Sequence, residues 1–168
     1  THKLEGAVYS VEMLLQNTGT CAMPVGFGIH PYFVRRAQNP SLRFAAQGVY
    51  LTDSSNVPQR AAEAIPEWLD FHQAKALESR KIDHVFAGWA GSAELAWEDC
   101  TLHILASEVF GHFVVFTGAP DQTIALEPIT HATNAFNLAA NGIENTGHRV
   151  LEPKQTLEGE IRFWLTQP

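Results

Sequence analysis

Cysteine is scarce. The 168-residue sequence holds two, Cys21 and Cys100, which could form at most one bridge. That excludes a disulfide-stapled scaffold and fits reduced thiols in a cytoplasmic protein. Cations are in deficit as well, with 11 Lys and Arg against 18 Asp and Glu and a net charge of −7. Apart from Arg35-Arg36 the basic residues do not cluster. This excludes a nucleic-acid partner, because binding a phosphate backbone draws on many cationic contacts at once. Apolar runs are short. None approaches the ~20 residues of a membrane-spanning helix, and residues 113–116, the most apolar run, are the size of a strand. Helical periodicity is rare, and only residues 60–64 and 73–80 could each make a turn or two. Eight histidines invite a metal reading, but no two stand in the His-x-His spacing of a cupin-like site, so no metal is expected.

The length predicts about one domain over residues 1–168. Leu, Ile, Val and Phe number 44, well above the share (about 20%) below which a chain stays disordered. The dominant period is two. Its clearest case is residues 157–166, with Leu157, Gly159, Ile161, Phe163 and Leu165 on one face against Glu158, Glu160, Arg162 and Trp164 on the other. Similar runs occur at 7–14, 25–29, 42–45, 49–52, 93–97, 102–106, 113–117 and 123–126, separated by Gly, Pro and Asn. Many short strands at close spacing predict an all-β antiparallel sandwich with few short helices. Residues 54–81 read as one long excursion of the kind that lines sites on β scaffolds.

Two strand ends carry chemistry. In a strand over 25–29, Phe27 and Ile29 face the core while Gly26, Gly28 and His30 face the other way, and Pro31 follows. Strand glycines either mark close approach of a ligand or simply relieve crowding. In residues 123–128, Ile124 and Leu126 face the core, Thr123, Ala125 and Glu127 oppose them, and Pro128 follows. An imidazole and a carboxylate delivered this way could serve as general acid and base. Each could also be a structural hydrogen-bonding group. Asp83-His84, inside the apolar run 82–87, is a third candidate, with a turn-capping Asp and a half-exposed His as the plain alternative.

Gly28-Ile29-His30-Pro31-Tyr32-Phe33, then Leu69-Asp70-Phe71, then Ile82-Asp83-His84-Val85-Phe86, then Leu126-Glu127-Pro128-Ile129-Thr130 resemble, in order, the motif set of the aldose 1-epimerase (galactose mutarotase) family. The resemblance implies a β-supersandwich enzyme that interconverts the anomers of a free monosaccharide without metal or cofactor. It implies His30 as general acid, Glu127 as general base and Asp83 as a hydroxyl-binding acid, with Tyr32 and His84 as further substrate contacts. Family members are longer, so the chain corresponds to the C-terminal half to two-thirds of their domain. Unpaired sheet edges would then be met by a homodimer or by the missing N-terminal half. Two other readings compete. Arg35-Arg36 could hold the phosphate of a hexose-6-phosphate epimerase, and Trp68, Trp89, Trp97 and Trp164 could stack sugars in a non-catalytic carbohydrate-binding sandwich.

Overall fold

The computed structural model describes residues 1–35, 39–52, 57–78, 81–118 and 123–167. In chain order the strands are β1 (His2–Glu5), β2 (Val8–Gln16), β3 (Met23–Val25), β4 (Tyr32–Val34), β5 (Ser41–Phe44), β6 (Gly48–Tyr50) and β7 (Lys75–Ala76). They continue with β8 (Asp83–Ala87), β9 (Ser92–Ala96), β10 (Thr101–Ala106), β11 (His112–Thr117), β12 (Thr123–Ile129), β13 (Arg149–Leu151) and β14 (Thr156–Thr166). One sheet runs β1-β2-β14-β10-β9-β5-β7, a second runs β4-β12-β11-β8-β6, and β13-β3 forms a small ribbon. Neighbouring strands are antiparallel throughout these sheets. This is the antiparallel sandwich that the two-residue period predicts.

Alternation sorts the side chains as that period requires. Phe86, Phe113, Val115, Ile124 and Leu126 point from the five-stranded sheet into the main core, where they meet Leu42, Phe44, Leu95, Ile104, Ile161 and Phe163 of the larger sheet. The opposite face of the five-stranded sheet is half covered. Tyr50, Val85 and Ala87 there pack against Ala132, Ala135 and Leu138, the last two from a short helix α1 (Ala135–Ala140). His30, Tyr32, Asp83 and Glu127 lie on the remainder of that face.

Several expectations change. Residues 60–64 form no helical turn; Glu63 instead bridges Val49 and closes a piece of edge pairing. Within 73–80, Lys75–Ala76 form β7, because Leu77 donates to the Pro40 carbonyl and ties this stretch to β5; residues 79 and 80 lie outside the described residues. The excursion 54–81 includes a 3₁₀ turn, Glu67–Leu69, anchored by buried Leu69. Its residues 54–56 are likewise outside the described set. Ile124 and Leu126 are fully buried. Phe27 and Ile29 only lean on the core, because the strand ends at Val25 and residues 26–31 run irregularly. Neither cysteine is in a disulfide. Among the described residues no helix is long and apolar enough to cross a membrane.

Candidate active site

The pairing of β4 with β12 builds the site. Val34 lies opposite Thr123, Phe33 opposite Ile124 and Tyr32 opposite Ala125. Regular pairing stops at Pro31, which has no N–H to give. The register nevertheless persists, since Gly28 bridges Ile129 further along. The same register puts His30 directly across from Glu127. Their side chains meet, with His30 Nε2 3.0 Å from Glu127 Oε1. Glu127 is buried while the His30 ring is half exposed. His30 also stacks on Tyr32 at 4.7 Å between ring centres, which limits its swing.

Asp83 arrives from the other side of the same face. It lies opposite Phe116, which lies opposite Ala125, which lies opposite Tyr32. One row across four strands therefore carries Asp83 and Tyr32 at its ends and a methyl group at Ala125. Glu127 stands one pleat further along β12, opposite Val114. Burial pushes its carboxyl up, His30 draws it partly back, and the charge of Asp83 raises it again. A carboxylate raised in this way is a stronger base than a solvated one, and its partner imidazole is a proton donor within hydrogen-bond reach.

His84 does not join this group. Alternation turns it to the face opposite Asp83, where it lies opposite Val115. Its ring meets the edge of Trp68 at 5.9 Å, and its Nδ1 is 3.5 Å from Thr52 Oγ1. The Asp-His dipeptide thus delivers one side chain to each face, and only Asp83 shares the face of Glu127. Arg35 is also withdrawn: it is 2% exposed and donates to Asn39 Oδ1, so it offers no guanidinium to a phosphate. Arg36 lies outside the described residues.

The glycines of the histidine segment make room for protein. A Cβ on Gly26 would fall 2.8 Å from His131 Nε2, and one on Gly28 would fall 2.4 Å from Ile129 Cγ2. Crowding, not ligand approach, explains both. The sequence assigned no role at the site to His131 or His112; they fall outside the periodic runs 123–126 and 113–117, and their proximity is purely tertiary. Beside Glu127 a cavity of about 370 Å³ opens, with His131, Thr133, Phe136 and Asn137 in its walls. Among the described residues no three His, Cys, Asp or Glu side chains converge on a common point as metal ligands would.

His112 has a measurable consequence. It is 4% exposed, and burial pushes its imidazole down to about 4, against partial compensation from the carbonyls of Asn145 and Thr130. In the unfolded chain the same group titrates near ~6.5. Between these values the unfolded chain takes up a proton that the folded protein refuses. Stability is therefore complete above the unfolded value and is lost as pH falls toward the folded one, by about 3 kcal/mol from this residue. His84 and His131, also lowered by burial, act in the same direction, while raised Glu127 opposes them. Urea midpoints should drop between pH ~7.5 and ~4, and His112→Asn should flatten that decline. An unflattened decline would assign it to other groups.

The sequence matches the family described as aldose 1-epimerase over residues 1–164. It is 30% identical over 139 residues to the uncharacterized protein YihR of Escherichia coli K12, covering 76% of this chain and 44% of the relative. It is 33% identical over 144 residues to the uncharacterized protein YphB of the same organism, covering 79% of this chain and 49% of the relative. The chain thus spans about half the length of these relatives. A galactose mutarotase-like protein from Clostridium acetobutylicum shares the fold at TM-score 0.79 and 14% identity, over 100% of this chain and 65% of that one. On this match of sequence and fold, the chain belongs to the aldose 1-epimerase family.

Proposed function

We propose that the protein interconverts the α and β anomers of a free aldohexose by acid–base ring opening and closure. The observation that carries this is the buried Glu127 carboxylate held in register against the His30 imidazole. Glu127 takes the proton of the anomeric hydroxyl, and the electron pair left on that oxygen forms the aldehyde C=O. The bond from the anomeric carbon to the ring oxygen breaks, and His30 gives its proton to that oxygen. Rotation about C1–C2 presents the other face of the aldehyde. Closure runs the transfers backward, so the two groups end as they began. Asp83, at the far end of the Tyr32 row, would accept hydrogen bonds from sugar hydroxyls. Tyr32, half exposed beside His30, offers an aromatic face to the apolar side of a pyranose ring.

Arg35 is buried, with its Nε on Asn39 Oδ1, and that burial favours an unphosphorylated sugar. The test is saturation-transfer NMR between the α and β anomeric protons of glucose and galactose. Exchange well above the uncatalysed rate is the expected result. No exchange with any common aldose or its 6-phosphate would overturn the enzyme reading and leave a carbohydrate-binding sandwich.

A further inference from the structure

His30 sits in a stretch with little to hold it. Pro31 has no N–H on one side, and Pro128, next to Glu127, has none on the other. The edge ladder is thus broken at the place where acid and base must stay opposite one another. A shift of one residue would turn His30 to the wrong face, because side-chain direction alternates along the chain. The β4–β12 ladder fixes the register on the far side of Pro31; on the His30 side something else has to hold it.

We infer that Thr130, with His131 behind it, is the positioning element that holds the His30 segment in register with Glu127. Thr130 is 2% exposed and bonds Phe27 twice. Its N–H donates to the Phe27 carbonyl at 2.9 Å, and its Oγ1 accepts from the Phe27 N–H at 2.9 Å. The hydroxyl stands where a strand carbonyl would normally accept. The Thr130 carbonyl itself is turned toward Gly147, where a Cβ would approach it to 2.4 Å. Ile29 N–H then reaches the Pro128 carbonyl at 3.3 Å, and Gly28 bridges Ile129. Behind this clasp the tip of His131 fills the place of a Gly26 side chain, and its ring is backed by Phe136 at 5.3 Å. Three residues past the base, the same chain segment grips the acid's segment three residues before the acid. The separation of acid and base is then set by a few bonds within one short stretch of edge.

Thr130→Val keeps the shape of the side chain and removes its acceptor, while Thr130→Ser keeps the acceptor. The inference rests on the anomeric-exchange reading for its kinetic arm. Displacing a catalytic group by about 1 Å costs up to ~10²-fold, so Thr130→Val should lose about tenfold to a hundredfold in kcat with KM nearly unchanged, and Thr130→Ser should recover most of it. A Val variant with full kcat, or a Ser variant as slow as Val, overturns the assignment. Amide exchange supplies an arm that needs no activity: in Thr130→Val the Phe27 and Ile29 amides should exchange faster, with β11 amides unchanged. Unchanged Phe27 and Ile29 amides overturn the clasp even if the protein moves no anomeric protons. Should Thr130→Val fail to fold, Gly26→Ala decides. Its methyl meets His131, so exchange at Ile29 should rise and then return toward wild type in Gly26→Ala/His131→Ala; no recovery in the double variant overturns the clasp.

Discussion

Glu127→Gln should slow anomeric exchange by about 10²–10⁴-fold, the range contributed by a positioned proton-transfer group. The amide keeps the shape of the side chain and can still bond the His30 ring at the observed 3.0 Å, but it cannot take a proton from an anomeric hydroxyl. Stability should hold or rise, since the substitution removes a buried carboxyl that burial already pushes toward its neutral form. The split between lost turnover and kept stability separates a chemical role from a structural one. His30→Asn should lose a comparable factor by removing the acid. Because the two groups exchange protons with the same ring-opening step, the double variant should be little slower than either single one. Saturation-transfer NMR on the three variants reads all of this. A Glu127→Gln protein with full rate would remove Glu127 from the chemistry.

Phe113→Ala should cost about 3–5 kcal/mol, the range for truncating a buried phenylalanine. Phe113 is fully buried on β11, stacked on Trp89 at 4.4 Å and edge-on to Phe44 at 5.1 Å. Phe44 belongs to the other sheet, so the ring joins the two layers. Flanked across the ladder by Phe86 and Pro128, the site is walled by rigid groups that cannot collapse into the space left behind. For a domain whose total stability is about 5–15 kcal/mol, this is a large share. Urea unfolding should show a lower midpoint with an unchanged slope. A loss under about 1 kcal/mol would mean the layers are joined elsewhere.

The face of Glu127 was legible in the sequence because it lies on a true strand, where alternation assigns faces without knowledge of the fold; Asp83 also lies on a strand, but the sequence offered it only through its motif, with no face assigned. His30 was legible for a different reason. Its own segment is not a strand, yet it keeps the strand register through the Gly28–Ile129 bridge, so the alternation argument gave the right face on a backbone that departs from it. His84 shows the limit of a motif: adjacent residues in a strand go to opposite faces, and the dipeptide could not deliver both to one pocket. The helix Ala135–Ala140 left no signal, since its first turn carries no acidic residue and Asn134 before it is in a left-handed conformation with φ of 66° and no side-chain cap. It is held by packing of Ala135 and Leu138 against the sheet. The roles of Gly26 and Gly28 depend on partners about a hundred residues away, and no local pattern encodes them.

β4 has three residues and, among the described residues, pairs on one side, at the margin of its sheet. Edge elements open at a fraction of the free energy needed to unfold a whole domain. His30 rides on that margin and Glu127 on its inner neighbour, so fraying of a few bonds would part them while the sandwich stays intact. Under rising denaturant or heat the proposed anomer exchange would be lost before the protein melts. A thermal melting curve would therefore overstate the range in which the proposed activity survives, and its useful lifetime would be that of one short seam.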